Sequence, residues 1–283
     1  MFKVHTFESQ TNGPHILILG AVHGNEIAGT LASQALIQQF QQGQRTLLKG
    51  KVTFIPIVNE LAQQQDTRFV DENLNRVITT HTAPMTHEQK IANQLLSYIE
   101  KANVLLDLHS THCKDDEAFA FIDYPSEKNL DFLKVIPVQT ALAGWPEIYK
   151  NNPEIDNFST EEYAHQKGIT ALTVECGYHK ASKAIEIAKA SILNTFLHYN
   201  MIKGEKPTAM DKKIIHLDSY IIKEKDGHFI QNFNHLDKVY KDEAIAQYAT
   251  GEILKAPFDG FIIMPNHQAN IGAEWYYLGK ENI

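Results

Sequence analysis

The stretch Gly20-Ala-Val-His-Gly-Asn-Glu26 decides the fold, because it follows directly on the apolar run Ile16-Leu-Ile-Leu-Gly20. The apolar run predicts a buried strand, and the apolar spacing over Asn25–Phe40 predicts a helix. His23 is then expected in the strand-to-helix turn and Glu26 in the first helical turn. An imidazole and a carboxylate are both good zinc ligands. This pair alone is also compatible with a capped helix start that carries an incidental histidine.

Two further apolar runs lead into ionisable residues. Val104-Leu-Leu-Asp-Leu108 is followed by His109, and Ala171-Leu-Thr-Val174 is followed by Glu175. Both runs predict strands. In an open α/β sheet, ligand crevices form at the carboxyl ends of the parallel strands. We therefore expect the side chains of His109 and Glu175 to lie close to those of His23 and Glu26 at one edge of the sheet.

The residue types at this edge match a catalytic metal site. His23, Glu26 and His109 supply two imidazoles and one carboxylate, a ligand set of zinc enzymes that keep a fourth position open for water. Zinc in such a site lowers the pKa of water and polarises a carbonyl oxygen. Glu175 is then left over as a general acid/base. The sequence therefore predicts one zinc ion per chain with Glu175 beside it.

Strand-like and helical patterns alternate along the chain up to about residue 203. Helices are predicted at 86–101 and 180–199, and Ser159-x-x-Glu162 resembles a capping box that opens another helix. Alternation of this kind is typical of an α/β fold with a mixed, largely parallel sheet flanked by helices.

The character of the sequence changes after the loop Gly204-Glu-Lys-Pro207, where short β-type runs are separated by turn residues. We expect a catalytic domain at 1–205 and a small, barrel-like β domain at 206–283. The β domain has two possible roles that the sequence leaves open. It is either a lid or assembly surface, in which case a homo-oligomer is possible, or a structural support.

Composition and charge argue against several partners. The formal net charge is −8 and no basic run is present, so neither nucleic acid nor an anionic membrane is an expected partner. The first residues lack the apolar core of a signal peptide. Cys113 and Cys176 are too few for a disulfide framework, which favours a reducing, cytoplasmic location. Each thiol is either a small buried side chain or a metal ligand.

Four short motifs occur in order along the chain. Together they resemble the succinylglutamate desuccinylase/aspartoacylase family, which is itself related to zinc carboxypeptidases. The resemblance spans about residues 15–200 and rests on Gly20-Ala-Val-His-Gly-Asn-Glu26, Asn73-Leu-Asn75-Arg76, Asp107-Leu-His109-Ser110 and Val174-Glu175-Cys176-Gly177. It implies a zinc carboxypeptidase-like fold, with zinc on the two histidines and the glutamate named above.

The resemblance also implies roles for residues around the metal. Glu175 would be the general acid/base, and Arg68 would lie near the reacting carbonyl. Asn75 and Arg76 would hold a carboxylate of the substrate. The chemistry of these residues agrees, since an arginine stabilises a developing oxyanion without titrating and grips a carboxylate through two hydrogen bonds. The alternative for both arginines is a surface salt bridge.

One position departs from the family's pattern. In the family's better-known amide hydrolases, an arginine shortly before the catalytic glutamate helps to hold a second, distal carboxylate, and here that position is His165. A permanently charged side chain is replaced by a titratable one. The resemblance therefore does not imply a succinyl or an aspartyl group in the substrate of this chain. The alternative is that His165 lies on a solvated helix face.

The segment between Thr111 and Asn157 is expected to shape the substrate pocket, because loops carry specificity. It contains polar and aromatic candidates that the sequence does not rank: His112, Asp115, Asp116, Asp123, Trp145, Tyr149 and the polar loop 151–156.

These observations predict a zinc-dependent hydrolase that cleaves the amide bond of a small N-acyl amino acid or a related carboxylate-bearing substrate. One alternative is a metallocarboxypeptidase acting on short peptides. Another is a protein that binds a ligand and kept the metal without catalysis. The presence of Glu175 argues against the last of these, because a binding protein has no need of a base there.

Overall fold

The computed structural model describes residues 2–114, 116–150 and 158–281. Asp115 and the loop 151–156 lie outside the described residues. The helices are α1 (Ala28–Gln41), α2 (Glu60–Gln64), α3 (His87–Ile99), α4 (Glu127–Leu133), α5 (Trp145–Lys150), α6 (Thr160–Gln166) and α7 (Ser182–His198). The strands are β1 (His5–Glu8), β2 (His15–Gly20), β3 (Lys51–Ile55), β4 (Val104–Thr111), β5 (Phe119–Phe121), β6 (Thr140–Ala143), β7 (Thr170–Tyr178), β8 (Lys213–Ile222), β9 (Gly227–Phe229), β10 (Lys238–Val239), β11 (Ala244–Tyr248), β12 (Ile253–Lys255), β13 (Gly260–Ile263) and β14 (Glu274–Glu281).

A mixed sheet runs through the described part of the chain. Its strand order is β1-β3-β2-β4-β7-β5-β6-β8-β14-β13-β10. The neighbours β3, β2, β4 and β7 are parallel, and so are β5, β6 and β8. The pairs β1–β3, β7–β5 and those among the C-terminal strands are antiparallel. The prediction of an α/β fold with a mixed, largely parallel sheet is confirmed.

Helices cover both faces of the parallel part of the sheet. Successive side chains of a strand point to opposite faces. Ile16 and Ile18 of β2 therefore pack with α1, α4 and α7, whereas Leu17 and Leu19 pack with α3 and α6. All four side chains are fully buried. Because the central strands are buried on both faces, their sequences are continuous apolar runs rather than alternating ones.

The predicted helices are confirmed, with shifts of a residue or two at their ends. The pattern at 86–101 corresponds to α3, and the pattern at 180–199 corresponds to α7. Ser159 caps α6, since its Oγ accepts a hydrogen bond from the Glu162 N–H at 3.0 Å. Within the described ranges, no helix is long and apolar enough to span a bilayer.

The first helix begins later than the pattern predicted. α1 starts at Ala28, so the expectation that Glu26 lies in the first helical turn is wrong. The Glu26 N–H donates to the carbonyl of His23 at 3.1 Å and closes a tight turn between β2 and α1. Gly24 in this turn packs so closely on α2 that a Cβ would overlap the backbone of Ala62. The turn, rather than the helix, therefore places Glu26 beside His23.

The C-terminal strands extend the main sheet. β8 pairs in parallel with β6 and antiparallel with β14, which β13 and β10 follow. β9, β11 and β12 form a small separate antiparallel sheet. A cluster that includes Phe229, Tyr248 and Trp275 fills the space between these strands. The β structure expected after residue 206 is confirmed, and the domain boundary at that residue stays a prediction.

A buried carboxylate orders the loop that leads to the Asn73–Arg76 motif. Glu88, in the first turn of α3, is fully buried. Its oxygens accept hydrogen bonds from Asn59 Nδ2 at 2.9 Å and from the backbone N–H groups of residues 70–72. Burial by itself raises the pKa of Glu88, but these hydrogen bonds outweigh it and the pKa is lowered. Glu88 therefore acts as an ionised anchor for the loop.

We expect Glu88→Gln to destabilise the protein by about 2 kcal/mol, because unsatisfied buried donors cost about 1–3 kcal/mol each. The folded-state pKa lies below the ordinary value of 4.5. The stabilisation of the folded protein by ionised Glu88 is therefore fully present above the unfolded-state pKa. It is lost as the pH falls through the folded-state pKa. Denaturant unfolding from about pH 7 downward measures it. The exposed Glu186→Gln is the matched control, and a pH-independent difference at Glu88 would contradict the anchor.

Candidate metal centre and active site

A cavity of about 580 Å³ opens at the carboxyl ends of β2, β4 and β7. Its size suits a small molecule. His109 and Glu175 face each other across the paired strands β4 and β7, both of which run further than their apolar segments predicted. Every residue predicted for the site lines this cavity: His23, Glu26, Arg68, Asn75, Arg76, His109 and Glu175.

Three of these residues form a tight, buried cluster. Glu26 Oε1 lies 2.8 Å from His23 Nδ1, and Glu26 Oε2 lies 2.9 Å from His109 Nδ1. The two Nδ1 atoms are 3.1 Å apart. His23 and Glu26 are each only 3 % exposed, and His109 is 2 % exposed. One ligand atom from each residue thus converges on the same point, and the three together could hold a metal ion.

The other nitrogen of each imidazole lies close to a second residue, by a hydrogen bond in His23 and by an ion-pair contact in His109. His23 Nε2 lies 2.9 Å from Asn73 Oδ1. His109 Nε2 lies 3.1 Å from Asp107 Oδ2, which itself accepts a hydrogen bond from Thr160 Oγ1 at 2.6 Å. Because each ring is oriented at Nε2, its Nδ1 is the atom presented to the cluster. Histidines that bind metals are oriented by outer partners in this way.

The pKa values of the cluster follow from burial and mutual charge. Burial, followed by the charge of Arg68, lowers the pKa of His23 to about 4, which keeps this imidazole neutral. Burial opposes the charged form of His109, but Asp107 and Glu26 outweigh it and raise its pKa. Burial likewise opposes ionisation of Glu26, yet both histidines hold its pKa well below the usual range. A neutral imidazole and an ionised carboxylate are the forms that bind metal.

Glu175 lies next to the cluster and is 8 % exposed. Its Oε2 is buried and has no hydrogen-bond partner within the described part of the chain. Burial, and then the negative charge of Glu26, raises the pKa of Glu175 to about 8. A carboxyl group in a cleft whose pKa is shifted toward neutrality is a candidate for proton transfer.

Arg68 joins the cluster from the loop after α2. Its Nη1 donates to Glu26 Oε1 at 2.7 Å. Its side chain is 48 % exposed, so it reaches the ion pair across the open side of the cavity. Its backbone carbonyl accepts a hydrogen bond from the Gly24 N–H at 3.1 Å, which ties the two loops together. The alternative interpretation of Arg68 was a surface salt bridge. The side chain does form a salt bridge, with Glu26, but both residues line the cavity.

Arg76 and Asn75 lie on a short 3-10 turn, Leu74–Arg76. Arg76 Nη2 donates to Tyr149 Oη at 3.2 Å, and its guanidinium lies 5.4 Å from the centre of that ring. Burial acts to lower the pKa of Arg76, but Tyr149 and Glu274 raise it, so the charge is permanent. Asn75 Oδ1 accepts the N–H of Thr160 at 2.9 Å, which leaves its amide nitrogen as the group to donate.

The segment after β4 supplies part of the cavity wall, as expected. The lining residues from this segment include His112, Asp116, Asp123 and Trp145. Tyr149 contacts Arg76 instead of lining the cavity. Cys113 also lines the cavity and Cys176 is fully buried, but among the described residues neither belongs to the metal-ligating cluster.

The sequence assigned no role to several residues of the site, among them Asn73 and a second group that lines the cavity. Asn73, which orients His23, belongs to the quoted Asn73-Leu-Asn75-Arg76 motif, so a signal existed and was not used. The second group lies in two C-terminal loops, Asn232–His235 and Pro265–His267. No motif marks these loops, because they reach the cavity only through the continuation of the sheet into β8 to β14. The C-terminal β structure therefore forms part of the cavity wall.

The fold and this cluster define an α/β protein with a candidate metal centre at the carboxyl edge of its sheet. Residues 12–197 match the sequence model of the "Succinylglutamate desuccinylase/Aspartoacylase catalytic domain". The chain therefore belongs to the succinylglutamate desuccinylase/aspartoacylase family, as the motifs indicated.

Curated relatives agree with this assignment. The chain is 29% identical over 188 residues to a succinylglutamate desuccinylase of Shewanella sp. (strain MR-7), covering 60% of this chain and 52% of the relative. It is 23% identical over 258 residues to that of Pseudomonas fluorescens (strain Pf0-1), covering 84% and 75%. The chain thus spans about half the length of the Shewanella relatives that it matches.

Solved structures show the same fold. A succinylglutamate desuccinylase/aspartoacylase from Rhodobacter sphaeroides superimposes with a TM-score of 0.78 at 19% identity, covering 99% of this chain and 90% of that chain. The product-bound ectoine utilization protein EutE (DoeB) from Ruegeria pomeroyi gives a TM-score of 0.79 at 20% identity, covering 98% and 88%.

Proposed function

We propose that this protein is a zinc-dependent hydrolase that cleaves the amide bond of a small N-acyl amino acid or a related carboxylate-bearing substrate. The observation that carries the proposal is the convergence of His23 Nδ1, Glu26 and His109 Nδ1 beside Glu175, whose Oε2 has no hydrogen-bond partner among the described residues. The family supports deacylation, and its curated relatives are succinylglutamate desuccinylases.

The donor set fits zinc. Two imidazole nitrogens and one carboxylate oxygen suit this ion, and both rings are oriented for binding by Asn73 and Asp107. His23, Glu26 and His109 would hold the ion, which would supply a Lewis acid for the amide carbonyl and for water. The ion would need the neutral form of His109, whose pKa Asp107 and Glu26 raise in the cluster.

The chain's own residues supply the proton transfer. Glu175 is proposed to take a proton from the attacking water and to deliver it to the leaving nitrogen as the C–N bond breaks. The products are the free amine and the carboxylic acid of the acyl group. Glu175 is buried and its Oε2 is unpartnered among the described residues, so this oxygen is available to the reacting atoms. Arg68, beside Glu26, is proposed to stabilise the developing oxyanion.

Arg76 and Asn75 are proposed to bind a carboxylate of the substrate. The guanidinium is permanently charged, and the amide nitrogen of Asn75 is the donor of that side chain, since its Oδ1 already accepts from Thr160. Both residues line the cavity that contains the cluster. A bidentate, charge-assisted contact at this point would orient the substrate relative to Glu175.

We expect Arg76→Ala to lower kcat/KM by about 10–100-fold on an N-acetyl amino acid and only slightly on the matched carboxamide, because a charge-assisted hydrogen bond is worth about 1.5–3 kcal/mol. Arg76→Lys should restore part of the loss. Arg45→Ala, which changes an arginine outside the cavity, should leave kcat/KM unchanged for both substrates. An equal loss on the acid and on the amide would contradict carboxylate recognition.

The substrate class can be tested by turnover of zinc-loaded protein on N-acyl amino acids and on dipeptides. Hydrolysis of the acyl amino acids with little cleavage of dipeptides supports the proposal. The reverse preference would favour a metallocarboxypeptidase. The cytoplasmic location expected from the two cysteines stays a prediction.

A further inference from the structure

A pair of buried carboxyl groups lies in the cavity beside the proposed reaction centre. Glu161, in the first turn of α6, interacts with Thr173 of β7 and with the backbone N–H of Asp123. Alternate residues of a strand share a face, so Thr173 lies on the same face of β7 as Glu175. With a rise of about 3.3 Å per residue, the two positions are about 7 Å apart. The acid pair is therefore one side chain away from the proposed base.

Among the residues that the structure describes, neither carboxyl group forms a salt bridge, and the charges that shift them most are other carboxyl groups. Glu161 is 4 % exposed, and its Oε1 has no hydrogen-bond partner among the residues that the structure describes. Burial, and then Asp123, raises the pKa of Glu161. Burial also raises the pKa of Asp123 to about 7, and the nearby charges that raise it further are Glu147 and Glu162. The pKa of each acid is thus raised by burial and by other carboxyl groups.

The walls around the pair favour a cation. Asp123 Oδ1 accepts the N–H groups of Gly144 and Trp145 at 3.0 Å and 3.1 Å, which fixes the orientation of this carboxyl. The rings of Phe121 and Trp145 pack edge to face at 4.9 Å and line the same cavity. An ammonium is attracted to carboxylates and to aromatic faces, and it would satisfy the unpartnered oxygen of Glu161.

The family's pattern has an arginine at position 165, but the His165 found here does not reach this part of the cavity. His165 is exposed and stacks on Tyr124 with ring centroids 4.2 Å apart and an interplanar angle of 12°. It does not line the cavity. A second carboxylate on the substrate would instead enter a part of the cavity where negative charge is already disfavoured, as the raised pKa values of Asp123 and Glu161 indicate.

We propose that Asp123 and Glu161 form a subsite for a primary ammonium group, so that the preferred substrate is an N-acylated amino acid with a basic side chain. This inference rests on the proposed function, since it names the substrate class of the same site. Arg76 would bind the α-carboxylate and the acid pair the side-chain ammonium, with the amide bond between them near Glu175.

Three matched substrates test the subsite on zinc-loaded protein: Nα-acetylornithine, Nα-acetylnorvaline and Nα-acetylglutamate. We expect kcat/KM to be about 10–100-fold higher for acetylornithine than for acetylnorvaline, with acetylglutamate the poorest, as for a charge-assisted contact. In Glu161→Gln and in Asp123→Asn the ratio of acetylornithine to acetylnorvaline should fall toward one. Glu186→Gln should leave the ratio unchanged. A preference for acetylglutamate would overturn the subsite while leaving the proposed hydrolase intact.

Binding gives a readout that does not depend on turnover. Calorimetry with ornithine, norvaline and glutamate should show the tightest binding for ornithine, with the preference weakened by Asp123→Asn. If no acyl amino acid is turned over but ornithine is still preferred, the subsite stands and the proposed function fails. If ornithine binds no better than glutamate, the subsite is wrong. Asp123→Asn also covers the case in which Glu161→Gln does not fold.

Discussion

Glu175→Gln is expected to lower kcat by roughly 10²-fold or more, with zinc content and substrate affinity unchanged. The variant keeps the size and shape of the side chain but removes the group that accepts and returns the proton. Glu175 is not part of the cluster of ligand atoms, so its replacement should not disturb the metal. Its Oε2 accepts no hydrogen bond from another described residue, so the substitution breaks no contact at that oxygen.

Steady-state kinetics on an N-acyl amino acid, together with metal analysis of the same preparation, measures this effect. Glu186→Gln, on the exposed face of α7, is the control for the amide substitution itself. Loss of zinc from the Glu175 variant would mean that this residue is a ligand and that the proposed ligand set is wrong. Retention of zinc with near-normal turnover would mean that another group supplies the base, with His112 in the same cavity the first to examine.

His23→Ala and His109→Ala are each expected to abolish both zinc binding and turnover. Removal of one imidazole would leave only one imidazole and one carboxylate to hold the ion, too few for a stable site. In His109→Ala the Asp107 carboxylate also loses a partner at the cluster. Asn73→Ala should have a smaller effect, about 10–100-fold in zinc affinity, because it removes only the group that orients His23.

Zinc affinity measured by competition with a chelator separates these outcomes, and turnover is followed in the same samples. The exposed His228→Ala is the control for loss of a histidine. Stoichiometric zinc of normal affinity in both ligand variants would show that the metal is held elsewhere.

The sequence predicted the part of the site that follows directly from strands and their ends. The apolar run before His23 and the runs before His109 and Glu175 encode parallel strands, and the carboxyl ends of parallel strands lie at one edge. Local patterns therefore brought residues together that are far apart in the chain. The start of α1 was misjudged because the close packing of Gly24 on α2 is a tertiary contact, and periodicity carries no information about it.

The remainder of the cavity depends on contacts that no local pattern encodes. The loops Asn232–His235 and Pro265–His267 reach the cavity because β8 continues the sheet beside β6. The proximity of Asp123 to Glu161 depends on how α6 packs on β7 and where the chain passes after β5. In the sequence, Asp123 is only one of several polar candidates, and no pattern marks a role for Glu161.

The most direct test of the account is a zinc titration of metal-free protein during hydrolysis of an N-acyl amino acid. Activity should be absent without zinc, rise in proportion to bound zinc, and reach its maximum at one ion per chain. Full occupancy by one zinc ion with no hydrolysis of any acyl amino acid or dipeptide would contradict it, and would show that the centre serves binding alone.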